Sequence, residues 1–170
     1  MISERMPKKV GKAEPPKGFS RLLWRAPIWI YRLGLGGLIK NRMLLLRHIG
    51  RNSGLPRQNV LEIVDHDPAT GTYWIASGFG KQSDWYRNIL EQPQVVIVVG
   101  QKELPVTAVP LSPDESGKAM VSYARRNPKA AKNLMRLCGY EVDGSEEDYF
   151  LMGQDIIPFI ALVPRGQTRS

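Results

Sequence analysis

The chain has 170 residues, 42% of them hydrophobic and 24% charged, which fits one soluble domain able to bury its own core. A single cysteine, Cys138, excludes an intrachain disulfide, and two separated histidines, His48 and His66, argue against a structural zinc site. The net charge of +8 is lopsided: residues 1–58 hold 13 Lys/Arg against 2 Asp/Glu, residues 59–170 hold 11 against 14, so the front of the chain suits an anion.

Met1 to Lys17 is polar and rich in Pro and Lys, with no apolar run of the kind a secretory signal carries. Residues 1–18 therefore read as a disordered basic leader, and 19–170 as a single domain. Phe19–Arg42 is the most hydrophobic stretch. A spanning helix needs about 20 nearly uncharged residues, and here Arg21, Arg25, Arg32 and Pro27 interrupt it. Arginines set among Trp24, Trp29 and Tyr31 suit an amphipathic segment that lies on a membrane surface, or that packs its aromatic face on the rest of the protein or on a second copy.

Six strands follow: Met43–Ile49, Gln58–Asp65, Thr72–Ser77, Gln94–Val99, Glu103–Val109 and Ile156–Val163. Pro105 and Pro158 predict an edge or bulged position for the last two. Asp67–Gly71 and Gly100-Gln101 read as hairpin turns. Ser83 or Asp84 caps a helix through Leu90, stopped by Pro93. Ser112-Pro113-Asp114-Glu115 opens a helix to Arg126, with a cap, a proline at the first position and an acid three residues after the cap. Asn127-Pro128 opens another, ending at Gly139, and Ser145 a short third one. Short hairpin-linked strands without regular strand–helix alternation predict an α+β fold, a six-stranded antiparallel barrel with helices in its connections.

Two turns carry the candidate chemistry. Gly50-Arg51-Asn52-Ser53-Gly54-Leu55-Pro56-Arg57 joins the first two strands and combines open backbone N–H groups, two arginines and a serine hydroxyl, a donor set for phosphate. An ordinary solvated hairpin has the same composition. Ser77-Gly78-Phe79-Gly80-Lys81 leaves a strand and leads into a helix, the setting of many anion sites. It is not a P-loop, because Gln82 follows Lys81. Trp85 and Tyr86 are adjacent on the helix and cannot both face one way, so one packs in the core. No paired carboxylates, nucleophile elbow or Cys/His set occurs, so a bound cofactor must carry any chemistry. The basic residues are not interleaved with aromatics on a recognition element, which sets nucleic acid aside.

At these two turns the chain resembles the deazaflavin-dependent nitroreductase family. Members carry Gly-Arg-Lys-Ser-Gly, then Pro-Arg, then a Gly-rich turn with Lys and Trp-Tyr-x-Asn-Leu. This chain has Gly50-Arg51-Asn52-Ser53-Gly54, Pro56-Arg57, Lys81 and Trp85-Tyr86-Arg87-Asn88-Ile89, in the same order. The resemblance runs from Phe19 to the C-terminus. It implies a split β-barrel of the FMN-binding, Greek-key kind and the cofactor coenzyme F-420 (8-hydroxy-5-deazaflavin). In such a protein Arg51, Asn52, Ser53, Gly54, Pro56, Arg57 and Lys81 hold the cofactor's phosphate and acidic tail. Ser77, Gly78, Trp85, Tyr86 and Asn88 border its ring. The reduced cofactor then passes a hydride to a small oxidised acceptor, a quinone or nitro-compound. Among Tyr123, Tyr140 and Tyr149, the last is the choice for the acceptor side. The lone cysteine makes the cytoplasm the default setting. The resemblance further implies a homodimer and, where 19–42 does not pack on the protein itself, a peripheral position on the inner face of the membrane through that segment. Two departures stand out: Asn52 replaces the usual Lys, and Asp84 brings a negative charge near the proposed anion site. They leave open FMN on the same barrel, or a non-catalytic fatty-acid or lipid-binding module.

Overall fold

The computed structural model describes residues 6–11 and 42–166. The amphipathic segment read at 19–42 thus lies outside the described residues, except for Arg42. Within the expected leader, Lys8–Lys9 forms β1, which pairs antiparallel with β8 (Tyr140–Glu141). The described residues fall into two compact units: residues 6–11, 77–81 and 111–159, and residues 42–76, 82–110 and 160–166.

The second unit is a sheet of seven strands. They are β2 (Met43–Ile49), β3 (Pro56–Glu62), β4 (Asp65–Asp67), β5 (Thr72–Ala76), β6 (Gln94–Val99), β7 (Lys102–Pro110) and β9 (Phe159–Pro164). Their order is β3-β2-β6-β7-β9-β5-β4. The predicted strand Gln58–Asp65 is in fact two, which makes seven strands rather than six. The break has a physical reason. The Ile63 N–H donates to Arg42 O (2.8 Å), beside β2, whereas the Val64 N–H donates to Trp74 O (2.9 Å), in β5. Over these two residues the chain changes partner. β3 and β4 stand at opposite ends of the strand order yet are almost consecutive in sequence, so the sheet must curl on itself.

β7 is not the edge strand that Pro105 suggested; it lies between β6 and β9. The Pro105 carbonyl accepts from the Arg165 N–H (3.0 Å), so this residue's backbone polar side faces β9. The missing N–H therefore falls just beyond the Val106↔Pro164 pair, and the ladder to β6 loses no bond. Pro158 likewise precedes β9 rather than interrupting it.

Alternation along the strands decides what is buried. On β2, Leu44, Leu46 and His48 share the core face, and cross-strand partners Leu61, Asn59 and Arg57 of β3 point to the same side. Leu44, Leu46, Ile75, Ile97 and Ile160 are fully buried there, each contributing about 1.5–3 kcal/mol. Helix α1 (Asp84–Glu91) completes this core with Trp85, Tyr86 and Ile89. Both aromatics are buried, not one: α1 sinks a wide face, and the two rings meet edge-on at 6.1 Å and 89°.

The first unit holds α2 (Pro113–Arg126), α3 (Pro128–Leu137) and α4 (Glu146–Asp155). The Ser112 capping box forms as predicted, and Ser145 caps α4 by accepting from the Asp148 N–H. Helices α2 and α4 approach closely at Gly153, where a Cβ would stand 2.3 Å from Ser116 O. No helix among the described residues is long and apolar enough to cross a membrane.

Candidate functional site

The β2–β3 turn is built by its glycines. Gly54 adopts φ +65°, a left-handed conformation that favours glycine. A Cβ on Gly50 would lie 2.6 Å from Ser53 Oγ. The Gly50 N–H donates to Leu55 O and the Gly54 N–H to Gly50 O (2.9 and 2.8 Å), closing the loop tightly. Ser53 Oγ sits inside it and accepts from the Leu55 N–H (3.3 Å). Asn52, Ser53, Pro56 and Arg57 are exposed, and the backbone N–H groups of Asn52 and Ser53 make no hydrogen bond among the described residues. Arg57, exposed near the start of β3, reaches back along the turn: its Nε would be 3.5 Å from a Cβ on Gly50.

Arg51 behaves differently. Its guanidinium donates to the Asp84 carboxylate (3.0 Å), the Asp84 carbonyl (3.3 Å) and Asn88 Oδ1 (3.0 Å), and its backbone N–H also donates to Asn88 Oδ1 (3.0 Å). The side chain is 17% exposed. Asp84 therefore pairs with Arg51 and does not cap α1; the N-cap is Ser83, without a side-chain cap bond. Asn88, expected beside a cofactor ring, is buried with its oxygen turned to Arg51.

Behind Asn88 lies a histidine that the sequence reading passed over. His48 is buried, with Nδ1 3.2 Å from Asn88 Nδ2 and Nε2 2.9 Å from Asn59 Oδ1. Burial pushes its pKa below the usual histidine value, the Asn59 hydrogen bond pulls it up, and the Arg57 charge lowers it again. The sequence did hold a cue: His48 continues the core-facing parity of Leu44 and Leu46, and Asn59 that of Leu61.

The Ser77–Lys81 turn belongs to the other unit. Ser77 is buried; its hydroxyl donates to Gly80 O (2.7 Å) and its N–H to Pro158 O (3.0 Å). Gly80 has φ +80°, and Lys81 is exposed on a short 3-10 turn, Gly80–Gln82. The Gly78 carbonyl accepts from the Cys138 thiol, whose pKa burial raises to about 11, so this cysteine is no thiolate nucleophile. Tyr149 on α4 is buried, which raises its pKa, with Asp148 adding to the effect. No group of three metal-binding side chains exists among the described residues.

The donor set of the β2–β3 turn fits a phosphorylated cofactor: two open backbone N–H groups, a hydroxyl, an amide and an exposed guanidinium, on a backbone fixed by glycines. Comparisons with known proteins give the fold and the family. A solved F420-H2 dependent reductase is 22% identical, over 71% of this chain and 93% of that one, with a TM-score of 0.49. A pyridoxamine 5'-phosphate oxidase-related, FMN binding protein from Nostoc punctiforme is 18% identical over 83% and 80%, with a TM-score of 0.53. A structure described as a domain-swapped dimer is 20% identical over 85% and 99%, with a TM-score of 0.51. The latter two likenesses identify the fold as the split barrel of FMN-binding proteins. No curated protein matches significantly. The family model for F420H(2)-dependent quinone reductase matches residues 25–136, well over half of the sequence. The chain belongs to that family, whose reductant is reduced coenzyme F-420.

Proposed function

We propose that this protein passes a hydride from reduced coenzyme F-420 to a quinone, with nitro-compounds as the next acceptors to test. The observation that carries the reading is the β2–β3 turn, whose Asn52 and Ser53 N–H groups and Arg57 guanidinium stand open on a rigid loop. In this reading Asn52, Ser53 and Arg57 hold the phosphate and acidic tail. Gly54 and Pro56 set the loop's path, and Arg51 keeps its shape. The reduced deazaflavin supplies the hydride; the protein binds it and orients it. The parts of Lys81, Ser77 and Gly78 in cofactor binding, and of Tyr149 beside the acceptor, rest on the family resemblance. So do membrane contact through 19–42 and a homodimer; the domain-swapped neighbour supports the last. A cytoplasmic location rests on the lone cysteine.

The test is a titration with coenzyme F-420 followed by its fluorescence, with FMN as competitor, then turnover of a quinone and a nitro-compound. Saturable binding that FMN cannot displace, followed by quinone turnover, supports the proposal. Binding of FMN alone replaces it with the second reading, an FMN oxidoreductase, which the Nostoc punctiforme neighbour favours.

A further inference from the structure

The hydrogen bonds around Asn88 have a direction. Its Oδ1 receives two donors, the Arg51 backbone N–H and guanidinium. Its amide NH2 must then face His48, which requires a bare, accepting Nδ1. The single ring proton of neutral His48 thus sits on Nε2 and is donated to Asn59 Oδ1. Each orientation forces the next, from β3 through β2 and α1 to the turn. We propose that His48 is a positioning residue for the anion-holding turn, acting through Asn88 to fix Arg51 and with it the Asn52 and Ser53 donors. This inference rests on the reading of that turn as the cofactor's grip.

A proton on Nδ1 would set two donors against each other. Asn88 could relieve the clash only by turning its amide, which would present NH2 to the Arg51 N–H and cation. The disturbance would therefore arrive at the turn. The charged groups around His48 are Arg57 across the β3 pair, Arg51 beyond Asn88, and the Asp84 carboxylate, which is paired with Arg51. The Arg57 cation opposes protonation.

Full-length wild type, His48→Gln and His48→Phe are compared from about pH 8 to about pH 5, the range in which histidine titrates. Two readouts are followed: coenzyme F-420 affinity, and the Arg51 backbone amide together with the histidine ring nitrogens by NMR without cofactor. Expected are an Nε2–H neutral ring, an Arg51 amide that shifts as His48 titrates, and wild-type affinity that drops about tenfold at the acid end, the loss of roughly one hydrogen bond. His48→Gln keeps a donor and an acceptor without a charge change, so it restores neutral-pH affinity and gives a flat profile. His48→Phe loses about tenfold at every pH while its melting shows it folded. An Arg51 amide blind to His48 protonation, or a His48→Gln variant that keeps the acid loss, overturns the relay. Wild type that fails to bind coenzyme F-420 while its Arg51 amide still follows His48 overturns the cofactor reading instead, and with it the role assigned here.

Discussion

Two glycine-rich turns look alike in the sequence, yet they use their hydrogen bonds differently. The β2–β3 turn spends its glycines on a tight loop that leaves donors facing out. In the Ser77–Lys81 turn the Ser77 hydroxyl is used on Gly80 O, and the Ser77 and Gly80 N–H groups on Pro158 O and Ser77 O, while the Lys81 side chain faces out. A Gly/Ser/basic composition therefore names a turn that can bind an anion, but the backbone hydrogen bonds decide whether its donors are free to do so.

Substitutions can break this contrast. The largest effect is expected from Asn88→Ala, which strands the Arg51 N–H and His48 Nδ1 in a buried setting; a loss of about 2–4 kcal/mol by denaturant melts is expected. Next comes Arg57→Ala, which should weaken coenzyme F-420 binding by about 1–3 kcal/mol with melting unchanged; unaltered affinity would remove Arg57 from the grip. Ser77→Ala should cost about 1 kcal/mol of stability by removing the buried hydroxyl's hydrogen bond to Gly80 O, with little change in affinity. A large affinity loss there would give the second turn a direct part in binding. Lys81→Ala is expected to change affinity by less than about 1 kcal/mol at physiological salt, since its ammonium is exposed.

The pH dependence sharpens the same contrast. His48 has a lowered folded-state pKa, so above the ordinary histidine value of 6.5 its neutral form contributes fully. As pH falls below that value the unfolded chain takes up the proton first, and stability drops until the folded-state pKa is passed. His48→Gln should flatten this limb of a stability–pH curve, and a persistent slope would place its origin elsewhere.

Most strand positions could be read from the sequence, because apolar β-branched runs such as Gln94–Val99 announce themselves. Positions where long-range pairing overrides a local cue could not. Pro105 is tolerated in a central strand only because of where β9 ends, and the break at Ile63-Val64 follows from a change of partner that no local propensity encodes. In the site, the turn and the Trp-Tyr-x-Asn stretch were legible as motifs. The hydrogen-bond partners of Arg51 and Asn88 were not, since Asp84 and His48 are distant from them in sequence. Burial of both Trp85 and Tyr86 likewise depends on how deeply α1 sinks into the core.

The strand order also sets a sequence of events for folding. β2–β3, β4–β5 and β6–β7 are local hairpins, whereas Leu45↔Val98 and Val106↔Pro164 join distant stretches and carry a larger loop-closure cost. The β2–β3 turn is the tip of one of these local hairpins, whereas Asn88, which holds Arg51, lies on a helix packed on the core. The loop is thus expected to form with its hairpin and to be locked later, so that protection of the Arg51 amide from exchange during refolding lags behind protection of the Leu44–Leu46 ladder.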